Sequence, residues 1–75
     1  MATAKKITER DWRLARKIQK IRKEKNWTQE KLAERIGVST TFIGYVEIGH
    51  RIPNLKMIYK IANALGVKVK SIFPF

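Results

Sequence analysis

An all-α fold, a compact bundle of four to five short helices, is predicted by three observations. Apolar residues recur at helical spacing along most of the chain. Residues that start and stop helices punctuate those stretches: Thr8, Thr28, Ser39 and Asn54 before them, Asn26, Gly37 and Gly66 after them. Strand signals are confined to Val67-Lys68-Val69, too short to build a sheet.

Helix 1 is expected from Glu9 to about Lys25. Thr8 stands as N-cap with Asp11 three residues later, the spacing of a reciprocal capping box. Leu14, Ile18 and Ile21 form its apolar stripe with Ala15 alongside, and the remaining faces are rich in Arg and Lys. Asn26 ends it, because Asn tolerates the left-handed conformation. Helix 2 runs from Gln29 to Ile36 behind Thr28. Gly37 ends it at a position favouring positive φ, and Ser39 caps helix 3, which covers about 40–47. Leu32, Ala33, Ile36, Val38, Ile43 and Val46 make a common apolar skeleton, with the small Ala33 where two crossing helices come closest. Helix, glycine turn and capped helix within about 20 residues form a helix-turn-helix, a shape that sets its second helix into the major groove of DNA.

Gly49 and Pro53 bracket a loop. Asn54 then caps helix 4, whose buried stripe is expected to be Leu55, Ile58, Ile61, Ala62 and Leu65, with Met57 at its edge and Gly66 as its end. A last turn near Val69–Phe73 closes the bundle behind Lys68, a poor cap. Residues 1–7 lack periodicity and read as a flexible basic arm, leaving 8–75 as one domain.

With 75 residues, 44% of them hydrophobic, the chain builds a limited core. It has no cysteine, which excludes a disulfide framework and cysteine-ligated zinc and fits a reducing, cytoplasmic setting. No apolar run approaches the roughly 20 residues that span a bilayer, and no apolar segment follows the basic N-terminus as in a secretory signal. The net charge of +11 is uneven: residues 1–25 carry +7, residues 26–52 balance, and 53–75 add +4 through Lys56, Lys60, Lys68 and Lys70. Such a domain suits a polyanion: DNA, RNA or an anionic membrane. Nothing supports catalysis. There is no Gly-rich phosphate loop and no cysteine nucleophile, and the single histidine, His50, cannot form a metal cluster.

A set of segments in order extends this reading: Trp27-Thr28-Gln29-Glu30-Lys31-Leu32-Ala33, Gly37-Val38-Ser39, Phe42-Ile43, Glu47-Ile48-Gly49, Arg51-Ile52-Pro53, Ile61-Ala62-Asn63-Ala64-Leu65-Gly66-Val67 and Ile72-Phe73. With them the chain resembles the phage-repressor and Xre-type (Cro/repressor-like) helix-turn-helix regulators over about residues 13–73. The resemblance implies a lambda-repressor-like domain with helix 3 as recognition helix. It implies sequence-specific binding to double-stranded operator DNA, usually as a homodimer on a palindrome. The leading reading needs no cofactor, involves no membrane and has no small-molecule ligand evident in the sequence. Thr40, Thr41 and Tyr45 match positions that reach base edges. Gln29 matches a phosphate-gripping position in the first turn of helix 2. Thr28, Ser39 and Arg51 join it on the DNA backbone, and Phe42 lies at the groove edge or covers the core. Arg22 and Glu47 match an internal salt bridge.

Gly44 departs from the family's usual small polar residue. It lies on or near the outward side of helix 3 and costs that helix roughly 1 kcal/mol relative to alanine. Trp27 reads as core at the start of helix 2, and Trp12 as a core-edge or dimer contact. Phe75, beyond the match, packs on a partner subunit or back onto Trp12. The competing functions are an antitoxin or bridging factor docking a protein partner through the same domain, and an RNA or membrane-surface binder working through helix 1.

Overall fold

The computed structural model describes residues 8–73, and all regular structure among them is helical: α1 (Glu9–Glu24), α2 (Gln29–Ile36), α3 (Thr40–Glu47), α4 (Leu55–Leu65) and α5 (Val69–Ile72). The basic arm expected at 1–7 and the Pro74–Phe75 tail lie outside the described residues.

Each of the first four helices starts where a side chain satisfies a free backbone N–H. Thr8 and Asp11 bond reciprocally, Thr8 N–H to Asp11 Oδ2 at 3.0 Å and Asp11 N–H to Thr8 Oγ1 at 3.1 Å. Thr28 accepts from Lys31 N–H, Ser39 from Phe42 N–H and Asn54 from Met57 N–H. Asn26 stops α1 at φ 61°, and Gly37 turns α2 into α3 at φ 74°. Val38 N–H then reaches back to the Ala33 carbonyl, closing the last turn of α2. At Lys68 no side-chain cap forms, and α5 is a single turn held by packing.

The helices close a circuit: α2 packs on α3 and α4, α1 on α3 and α5, and α4 on α5. Ile18, Leu32, Ile43, Val46, Ile61, Leu65 and Ile72 are fully buried at its centre, so every helix supplies the core. Ala33 is buried with them, and Val38 and Met57 pack against its edge.

The stripe of α4 differs from expectation at one position. Leu55 is 60% exposed. It is the first residue of α4, and a helical side chain leans toward its own N-terminus, so Leu55 projects past the end of the core that begins one turn later at Ile58. Trp12 is 43% exposed. Trp27 sits at the core's rim: half-buried on one side, with Lys25 Nζ, Lys31 Nζ and Arg35 Cζ 5.3, 5.5 and 5.2 Å from its ring.

Candidate nucleic-acid interface

Helix α3 has two sides with opposite tasks. Ile43 and Val46 anchor it inward, which turns Thr41 and Tyr45 to solvent, and Thr40 is exposed at its first turn. Glu47, the only acid on α3, is turned inward as well, with its side chain fully buried. Arg22, 7% exposed at its side chain, grips it with two bonds, Nε to Oε2 at 2.5 Å and a terminal N–H to Oε1 at 3.0 Å. Gln29 Nε2 donates to the same Oε1 at 3.0 Å and Gln19 Nε2 at 3.3 Å. The remaining guanidinium arm of Arg22 donates to the Trp27 carbonyl. A buried carboxylate is tolerable only when paired and hydrogen-bonded, and here α1, α2 and α3 all contribute donors to one group. No buried side-chain nitrogen or oxygen among the described residues lacks a partner.

Gln19 is absent from the sequence-level site. The signal was available: it lies three residues before Arg22, on the same side of α1. Gly44 is also placed differently from expectation. It is half-buried and faces Gln29, with the amide oxygen 3.7 Å from where a Cβ would stand, instead of pointing outward. Gln29 fills the space beside Gly44.

The predicted backbone-contacting residues cluster around α3. Thr28 and Ser39 are exposed, and each hydroxyl oxygen accepts from its own helix while its O–H remains a donor. Gln29 is half-buried and commits one amide N–H to Glu47, which leaves a second. Phe42 is half-buried against the core, and the exposed Arg51 lays its guanidinium 5.8 Å over the Phe42 ring.

The α3–α4 loop folds back on the helix. Gly49 reverses the chain at φ 77°, and the backbone N–H groups of His50 and Arg51 both donate to the Tyr45 carbonyl, at 2.8 and 3.2 Å. The His50 ring then lies 5.6 Å from the Tyr45 ring, tilted by 37°. On α1, Arg16, Gln19, Lys20, Lys23 and Glu24 line a shallow depression. Among the described residues no His, Cys, Asp and Glu cluster could hold a metal, and no helix is long and apolar enough to cross a membrane.

A helix-turn-helix family model (HTH_3) matches residues 18–72. An uncharacterised HTH-type transcriptional regulator of Archaeoglobus fulgidus is 42% identical over 59 residues, 79% of this chain and 83% of that protein. Multiprotein-bridging factor 1 of Eremothecium gossypii is 42% identical over 57 residues, but the match covers only 38% of its length against 76% of this chain. The restriction-modification controller protein C.Esp1396I, solved as a tetramer with its natural 35 base-pair operator, superposes with a TM-score of 0.76 at 29% identity. That match covers 87% of this chain and 96% of the controller chain.

Proposed function

This chain belongs to the helix-turn-helix family, and on that premise we propose that it is a sequence-specific DNA-binding transcriptional regulator, a repressor at a palindromic operator. It acts as a homodimer in the cytoplasm, each copy laying α3 in the major groove, and it needs no cofactor. The observation that carries this reading is the charge arrangement of α3. Its single carboxylate is withdrawn and neutralised by Arg22, so the outward side offers Thr41 and Tyr45 with no acid to oppose phosphates. The operator-bound relative of similar fold supports the same reading.

In this arrangement Thr40, Thr41 and Tyr45 read base edges, while Thr28, Gln29, Ser39, Phe42 and Arg51 position the domain on the sugar-phosphate backbone. The Arg22–Glu47 pair holds the helix at the angle that presents them. Selection of bound sequences from a random duplex pool tests the proposal, followed by competition with random duplex, structured RNA and anionic vesicles. Enrichment of a short palindrome that outcompetes all three is expected. Equal competition by random duplex refutes sequence-specific recognition.

Docking on a protein partner is a second reading, favoured by the match to a bridging factor and by the exposed Ile48, Ile52, Leu55 and Tyr59 along the α3–α4 loop and α4. Co-purification of a second protein together with an unenriched duplex pool would support it.

A further inference from the structure

Tyr45 is the largest side chain on the outward side of α3 and is 45% exposed. A tyrosine so placed can swing between rotamers, and each rotamer would present its hydroxyl to a different part of the groove. Freezing one on binding costs entropy, and the choice among several blurs discrimination. In this chain a side chain from outside the recognition helix lies against that ring. Gly49 turns the loop, His50 is tied by its own N–H to the Tyr45 carbonyl, and its ring lies against the Tyr45 ring within the separation of about 4.5–7 Å at which aromatic pairs attract. The next residue repeats the arrangement, with Arg51 over Phe42 one turn earlier on α3.

We propose that His50 is a positioning residue for base readout: it holds the Tyr45 ring in one orientation, so that sequence discrimination belongs to α3 and the 49–51 loop together. The inference rests on the reading of α3 as the recognition helix. It differs from a phosphate contact by His50, which would strengthen binding to every sequence alike. It also implies that grafting α3 alone onto a related domain transfers specificity incompletely.

The test uses the sequence enriched from the duplex pool and a random duplex of equal length, with the full chain. His50→Ala is expected to lower the ratio of the two affinities about three- to tenfold, the range of a lost aromatic pair, while its thermal midpoint stays with the wild type. His50→Phe, which keeps a ring, restores the ratio. His50→Gln, which keeps polarity without a ring, does not. In the free protein, His50→Ala is expected to shift the Tyr45 ring-proton resonances, a readout independent of DNA. An unchanged ratio where Tyr45→Ala does lower it overturns the proposal. Equal loss on both duplexes assigns His50 to phosphate and overturns it too, as does failure of the Phe variant to rescue. A pool that enriches no sequence removes the recognition reading and this inference with it. Enrichment without His50 dependence removes this inference alone.

Discussion

The inward end and the outward side of α3 make an instructive contrast within one eight-residue helix. At the inward end a charged residue, Glu47, is fully buried and held by four hydrogen bonds from Arg22, Gln19 and Gln29. On the outward side, aromatic and hydroxyl side chains stand exposed, with the loop residue His50 against Tyr45. The usual partition of charged outside and aromatic inside is reversed. Both reversals follow from the same demand. A helix meant to face a polyanion must hide its carboxylate and show groups that can touch bases. On the proposed reading, the inward end governs stability and the outward side governs selectivity.

Substitutions separate these two roles. The largest effect is expected at the inward end. Glu47→Ala leaves Arg22 buried without its partner and should destabilise the domain by about 3–5 kcal/mol in urea denaturation. A double-mutant cycle of Arg22→Met with Glu47→Gln should give strong coupling, and additive effects would dissolve the contrast. On the outward side, Tyr45→Ala should cost about 1–3 kcal/mol of operator binding with little change in stability or in binding to random duplex. A matching fall in the melting temperature would place Tyr45 with the inward group instead.

Arg51→Ala addresses the boundary between the two. It should weaken binding to all duplexes and make the slope of log affinity against log salt shallower by about one unit, read by titration at several salt concentrations. The smallest effect is expected at Gly44. A Cβ there would meet Gln29 at ordinary contact distance. Gly44→Ala should therefore stabilise the helix by at most about 1 kcal/mol in thermal melts. Destabilisation would mean that Gln29 cannot keep its bond to Glu47 beside a methyl group.

The sequence itself determined where the helices begin and end. Thr8 with Asp11, Thr28 with Lys31, Ser39 with Phe42 and Asn54 with Met57 are bonds across three residues, and Asn26, Gly37 and Gly66 turn on their own backbone preference. Such signals are local and need no knowledge of the rest of the chain. Periodicity likewise placed Ile18, Leu32, Ile43, Ile61 and Leu65 in the core and Tyr45 outside it. The pairing of Arg22 with Glu47, 25 residues apart, could be named only through the family resemblance, since no local pattern links the two. What tertiary structure alone decided lies at the edges of elements and between them. Leu55 keeps the phase of its helix yet stands beyond the core's end. Gly44 faces Gln29, and His50 returns to Tyr45. Helical phase states a direction from an axis, but not how far the neighbouring helix extends or which donor fills the space beside it. Those depend on how separate elements pack, and packing is settled only when all five helices close around one core.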